Sequence, residues 1–175
     1  MIFSGDIGKL DSPRRRELLP PEKVLAMAGV KPGDIVTDFG CGIGYMTIPA
    51  SDIVGDEGRI IAIDISEKML EELRQRAGDR RNIIMINSSQ LAIPSDVILL
   101  VNVLHEIPDP EAFLSDSFDT LKPGGRLVIV DWEKRQTSMG PPVQERLSKE
   151  EILRMAARPA EQHSFGGQQY LLIFR

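Results

Sequence analysis

Three groups of residues in this chain have types and spacing suited to chemistry. Gly40, Gly42 and Gly44 occupy alternate positions in the stretch Val36-Thr37-Asp38-Phe39-Gly40-Cys41-Gly42-Ile43-Gly44-Tyr45. Asp38 stands two residues before the first glycine, and Asp64 twenty residues after the last. His105 is one of only two histidines. Glycine loses more backbone entropy on folding than any other residue, so such a cluster marks a tight turn or a close approach of backbone to a partner. An acid about twenty residues beyond a glycine turn is placed to accept hydrogen bonds from ribose hydroxyls. Glycine turn and acid together point to a nucleoside-like ligand. A histidine near such a site is a candidate proton acceptor at neutral pH.

The glycine spacing narrows the ligand. A dinucleotide fingerprint reads G-x-G-x-x-G. Counted from Gly40 its third glycine falls on Tyr45, and counted from Gly42 it falls on Thr47. Asp38 would also repel a pyrophosphate through like charge. It suits a ligand carrying an ammonium or a sulfonium, which favours S-adenosylmethionine over NAD.

These residues must be positioned by alternating strands and helices. Pro20-Pro21-Glu22 opens a helix, because proline is tolerated in the first turn and an acid suits the positive end of the helix dipole. Ile35 to Phe39 is a short apolar strand, and the next helix is expected to start near Gly44. Arg59 to Asp64 is a second strand. Ser66 caps a helix with Met69, Leu70 and Leu73 on one face. Further strands are expected at Ile83–Ile86, Asp96–Val101 and Arg126–Trp132. Helices are expected over Pro110–Leu121, broken by Lys122-Pro123-Gly124-Gly125, and after Leu147-Ser148. Glu161–Phe165 and Tyr170–Phe174 flank Gly166-Gly167 and read as an antiparallel hairpin. The predicted fold is α/β: a doubly wound, mostly parallel, Rossmann-like sheet ending in that hairpin. Ligands of such sheets bind beyond the carboxyl ends of the strands, where the strand order reverses. Residues 1–20 are read as an N-terminal arm or lid, and 21–175 as the ligand-binding domain.

Composition limits the alternatives. The chain has 175 residues, a net charge of −5 and one cysteine, Cys41. An intramolecular disulfide is excluded, and the acidic balance disfavours a nucleic-acid partner. One cysteine and two histidines leave little for a metal site, so none is expected. The apolar runs are too short to cross a bilayer and no leader pattern opens the chain, which reads as cytoplasmic. The basic run Arg14-Arg15-Arg16 reads as a solvated face or a local anion contact.

The ordered motifs resemble class I S-adenosylmethionine-dependent methyltransferases, in particular the ubiquinone/menaquinone-biosynthesis-type (methyltransferase type 11) group. The resemblance runs from Leu10-Asp11-Ser12-Pro13-Arg14-Arg15 through Asp38-Phe-Gly40-Cys-Gly42-Ile-Gly44 and Ala62-Ile63-Asp64-Ile65-Ser66. It continues through Val103-Leu104-His105-Glu106-Ile107, Leu121-Lys122-Pro123-Gly124-Gly125-Arg126-Leu127 and Met139-Gly140-Pro141-Pro142 followed by Arg146-Leu147-Ser148. It implies that Asp38 and backbone from Gly40 through Cys41 and Gly42 to Gly44 hold the methionine part of the cofactor. Asp64 would take the ribose hydroxyls, Ile65 would pack on the adenine, and Val101 would border the cofactor at the end of strand four. Ser89 and Gln90 stand where the family often places an aspartate beside the adenine amine, so that charge is lost here. The segment after Pro94 is shorter than in the family.

Methyl transfer from a sulfonium needs orientation and a water-poor site, with a base only for an acceptor whose proton must leave. His105 is the candidate catalytic base, or else a buried histidine bonded to backbone. Glu106 either orients it or is solvated. Tyr45, His105 and Trp132 are candidate acceptor contacts, and Tyr45 is as readily a core residue. His163 and Cys41 read as structural. The expected activity is methyl transfer to a small-molecule acceptor by a monomer or homodimer. A cofactor-binding module without catalysis, a protein or RNA methyltransferase and a nucleotide-dependent oxidoreductase remain as alternatives. Arsenite would need several thiols, and the Asn/Asp-Pro-Pro-aromatic motif of DNA amino-methylation is absent after strand four.

Overall fold

Runs of five to seven apolar residues separated by capped helices dictate a parallel sheet, because each strand must be covered on both faces. The computed structural model describes residues 7–175, the side chains of Ile7 and Lys9 excepted. Its strands are β1 (Ile35–Phe39), β2 (Arg59–Asp64), β3 (Ile83–Asn87), β4 (Ser95–Val101), β5 (Leu121–Trp132), β6 (Glu161–Phe165) and β7 (Gln169–Phe174). They form one seven-stranded sheet in the order β3-β2-β1-β4-β5-β7-β6. The first five strands in that order run parallel, and β7 lies antiparallel to both β5 and β6. This is the expected Rossmann-like sheet with its C-terminal hairpin, and the order reverses between β1 and β4. No described helix is long and apolar enough to cross a membrane.

The helices are α1 (Pro13–Leu18), α2 (Pro21–Ala28), α3 (Thr47–Val54), α4 (Glu67–Ala77), α5 (Pro110–Asp119) and α6 (Lys149–Ala156). Side chains alternate across the central strand. Val97, Leu99 and Val101 of β4 join a core with Leu25 of α2 and Ala50 of α3. Ile98 and Leu100 join the opposite core with Leu114 of α5 and Ile152 of α6. Ser66 caps α4 by accepting from the Met69 N–H, and Met69, Leu70 and Leu73 are buried as their spacing required. Ser148 and Glu151 form a reciprocal capping box on α6.

Three boundaries depart from expectation. Regular helix α3 begins at Thr47 rather than near Gly44, because the glycine turn first closes on itself through the Gly44 N–H to the Cys41 carbonyl (3.0 Å). Helix α5 ends at Asp119, and Leu121 already pairs with Ser95 as the first residue of β5. The segment expected to break the chain, 122–125, is a bulge inside β5, since Arg126 resumes the ladder opposite Val97. The described part of the N-terminal arm is ordered into a short 3₁₀ turn, Ile7–Asp11, and helix α1. Residues 1–6 of that arm lie outside the described residues.

Asp96 ties three strands at the edge away from the cavity. Its Oδ2 accepts from the Ile35 N–H (2.8 Å) and from Lys122 Nζ (2.7 Å). Burial pushes its pKa up, but Lys122 and the Ile35 N–H outweigh that and hold it below the ordinary carboxylate value. A depressed folded pKa stabilises above the unfolded value of about 3.9 and is lost as pH falls through the folded value. Asp96→Ala is expected to lower stability by about 1–3 kcal/mol at pH 7. In denaturant titrations the gap between variant and parent should narrow as pH falls through the folded value.

Candidate functional site

The carboxyl ends of β1, β2, β4 and β5 open into a cavity of about 880 Å³. Asp38, Gly40, Cys41, Gly42, Tyr45, Asp64, Ile65, Ser89, Val101, His105 and Trp132 all border it. Gly44 and Gln90 do not. A Cβ on Gly44 would lie 2.4 Å from Leu73 Cδ1, so this glycine serves the packing of the turn against α4. Gln90 faces a separate depression with Asp116 and Asp119, because the chain turns away at Ser88, whose hydroxyl accepts the Gln90 N–H (3.0 Å).

The glycine turn is held from inside. The N–H groups of Gly40 and Cys41 both donate to the Ile63 carbonyl, at 2.8 and 3.0 Å. The Gly42 N–H donates to Asp64 Oδ2 (2.8 Å). With Gly44 bonded to Cys41, these four amides are committed within the protein, so none of them is offered to a pyrophosphate. The turn instead presents its Cα surface. A Cβ on Gly42 would meet no atom within 4 Å, although Gly42 borders the cavity. A ligand can therefore approach the backbone there.

Asp38 is buried and accepts from the Thr47 hydroxyl (2.6 Å). Burial, joined by the charge of Asp64, pushes its pKa up to about 6 against the Thr47 hydroxyl and Arg15. A cation placed beside Asp38 would offset that cost. Asp64 Oδ1 accepts from the Ser66 N–H (2.9 Å), so one carboxylate spans the glycine turn and the start of α4. Each of its oxygens keeps a further lone pair for a hydroxyl donor. Ile65 stands at the cavity rim with 47% of its surface exposed, which suits a flat apolar ring lying against it. Asp38, Asp64, Ile65 and the Gly42 gap together fit a nucleoside with a cationic tail.

At the β4–β5 end, His105 Nδ1 lies 2.8 and 3.0 Å from the two oxygens of Asp131. The partner of the ring is thus a carboxylate rather than the backbone of the second reading. The His105 side chain is 4% exposed and that of Asp131 is fully buried. Burial opposes a charged imidazole, but the Asp131 hydrogen bond and the charges of Asp131, Glu106 and Glu145 outweigh it and hold the His105 pKa above its ordinary value. Glu106 Oε1 is 4.0 Å from Nε2. His163 lies away from the cavity in β6 and pairs with Glu161 (2.7 Å).

The sequence motifs did not report what several residues at and behind the cavity wall bond to. Asn102 adopts a left-handed conformation (φ 58°), and its Oδ1 accepts from Gln169 Nε2 of β7 (2.7 Å). The wall over Trp132 is built by buried Arg146. Its guanidinium reaches the carbonyls of Glu133, Arg135, Met139 and Pro141 and the Thr137 hydroxyl at 2.8–3.2 Å. This folds the 133–141 segment so that Gly140 lies flat on the Trp132 ring, where a Cβ would come within 2.6 Å. Such contacts join residues whose separation no local pattern reports.

The methyltransferase-domain family matches residues 37–129, which span β1 to β5 and the whole glycine-turn side of the cavity. The chain belongs to this methyltransferase family. It is 34% identical over 130 residues to the ubiquinone/menaquinone biosynthesis C-methyltransferase UbiE of Vibrio parahaemolyticus, covering 70% of this chain and 48% of that protein. The chain thus spans about half the length of the curated relatives it matches. A crystal structure of a SAM-dependent methyltransferase from Aquifex aeolicus superposes with a TM-score of 0.87 at 32% identity, covering 95% of each chain. The magnesium protoporphyrin IX methyltransferase of Synechocystis PCC 6803, solved with bound SAM, has a TM-score of 0.71 at 21% identity, covering 98% of this chain and 85% of that one. That likeness shows a shared fold.

Two glycines of this methyltransferase turn should separate by experiment. Gly44→Ala forces φ +87° on a residue with a Cβ and drives it into Leu73. It is expected to cost about 1–3 kcal/mol of stability in denaturant unfolding. Gly42→Ala meets only its own backbone strain, about 1–2 kcal/mol, and should instead weaken ligand binding.

Proposed function

We propose that this chain transfers the methyl group of S-adenosylmethionine to an apolar small-molecule acceptor. The observation that carries the reading is one continuous cavity. It joins the Gly42–Asp64–Ile65 end, which fits a nucleoside, to the His105–Asp131 and Trp132 end, which fits an acceptor. The names and titles of the relatives supply the cofactor's identity. Bound there, the cofactor would supply an activated methyl on a cationic sulfur.

The protein's own residues then have separate tasks. Asp64 holds the ribose hydroxyls, Ile65 covers the adenine, and the Gly42 gap lets the tail lie against backbone. Ser88 and Ser89 offer hydroxyls near the adenine in place of a carboxylate. Asp38 balances positive charge at the methionine end. Phe113, Trp132 and Met139 provide an apolar wall that excludes water from the acceptor. Residues 7–20 act as a lid, since Leu10, Arg15 and Leu18 border the same cavity. The turn's committed amides argue against an oxidoreductase that binds a dinucleotide. His105 takes the acceptor's proton at Nε2 while Asp131 fixes Nδ1–H toward itself.

Calorimetric titration with S-adenosylmethionine, S-adenosylhomocysteine and NADH tests the cofactor. Micromolar binding of the first two and none of NADH is expected, and the reverse order would refute the reading. Asp64→Ala should weaken S-adenosylhomocysteine by about 1.5–3 kcal/mol with the fold intact. Once an acceptor is in hand, kcat should rise with pH through a pKa above the ordinary histidine value of about 6.5. Only the neutral imidazole accepts a proton, and Asp131 favours the charged one. Asp131→Asn should move that limb to lower pH and reduce kcat. An unchanged profile would remove His105 from proton transfer.

A further inference from the structure

The basic run Arg14-Arg15-Arg16 divides sharply in the fold. Arg14 pairs with Glu17 (3.2 Å) and Arg16 with Asp11 (2.6 Å), both near solvent. Arg15 turns inward and is the one arginine or lysine bordering the cavity among the described residues. Its guanidinium lies 4.0 Å from the centre of the Tyr45 ring, and Nη1 donates to the Leu10 carbonyl (2.6 Å). Among the described residues it makes no ion pair with a carboxylate. Burial lowers its pKa, while Tyr45, Asp11 and Asp38 favour its charge.

A stacked guanidinium with one N–H committed keeps the rest of its fork for an incoming anion, and a carboxylate matches that fork in two parallel hydrogen bonds. Position argues for which carboxylate. Arg15 rests on Tyr45, the residue directly after the glycine turn, and its charge is felt by Asp38 at the turn's start. Arg15 and Asp38 border the same cavity, and a cation and an anion there complement an amino-acid zwitterion. Helix α1 is also anchored at that place: Tyr45 Oη donates to the Leu19 carbonyl (2.6 Å), and Asp11 bonds Arg76 of α4.

We propose that Arg15 binds the carboxylate of the cofactor's methionine moiety, so that the N-terminal segment completes the cofactor site rather than only covering it. This rests on the cofactor reading above. Asp38 is the partner of the ammonium, and the pair reads the amino-acid end of the ligand while Asp64 and Ile65 read the nucleoside end.

Binding of S-adenosylhomocysteine and of 5′-methylthioadenosine, which lacks the amino-acid end, separates the possibilities. Arg15→Gln should weaken S-adenosylhomocysteine about 10- to 100-fold and leave methylthioadenosine within about twofold. Arg15→Lys should recover part of the loss, since it restores charge without the fork. Equal weakening of both ligands would make Arg15 a packing residue of the lid and overturn the proposal. Unchanged S-adenosylhomocysteine affinity with a raised KM for the acceptor would give Arg15 to an anionic acceptor and overturn it as well. If the unaltered protein binds methylthioadenosine but gains nothing from the amino-acid end, the proposal fails while the cofactor reading stands. If it binds neither ligand, the cofactor reading itself falls and takes this inference with it.

Discussion

The cavity depends on the carboxylate of Asp64. One oxygen takes the Gly42 N–H and the other takes the Ser66 N–H. A single side chain at the end of β2 therefore fixes the turn that follows β1 and the first turn of α4. Parallel strands bring these segments to one edge, but the ladder stops at Phe39 opposite Ile63. Beyond that point the geometry passes from backbone pairing to the side chain of Asp64 and the Ile63 carbonyl. A hydrogen bond to a charged acceptor is stronger than a neutral one, which suits a joint that must hold its shape before a ligand arrives. The acid that would receive a ligand is thus also the acid that shapes the turn.

The opposite end of the cavity uses a second buried carboxylate in a different way. Asp131 is fully buried at the end of β5 and accepts from both His105 and the Trp132 N–H. Its hydrogen bond and charge favour the charged imidazole of His105. Asp38 has a hydroxyl partner instead, and its pKa rises. Three aspartates at the ends of β1, β2 and β5 are therefore set apart by what surrounds them. Asp38 takes a hydroxyl, Asp64 takes two backbone amides, and Asp131 fixes a ring.

The sheet and the glycine-turn end of the cavity were legible in the sequence because they are local. Strand β1 and strand β2 follow from apolar runs bounded by turn residues, and the caps at Ser66 and Ser148 from helix-start chemistry. The turn and Asp64 follow from spacing along the chain. The same reading could not divide labour among the glycines. Gly42 opens space for a ligand and Gly44 makes room for Leu73, a residue 29 positions away. Both look alike as glycines after a strand.

The sequence by itself determined the fold class, the edge at which the cavity opens and the placing of the glycine turn and Asp64 at that edge. Each of these depends on period, capping or spacing within about twenty residues. Tertiary structure alone decided that His105 is held by Asp131, that Asn102 meets Gln169, that Arg146 folds the wall over Trp132 and that Arg15 turns inward while its neighbours do not. The first two pairings join segments that the strand order brings together, and all of them are side-chain contacts for which a linear pattern has no term. A parallel sheet sets its strand ends side by side regardless of their distance along the chain, so the residues that would do the chemistry met only once the whole sheet had formed.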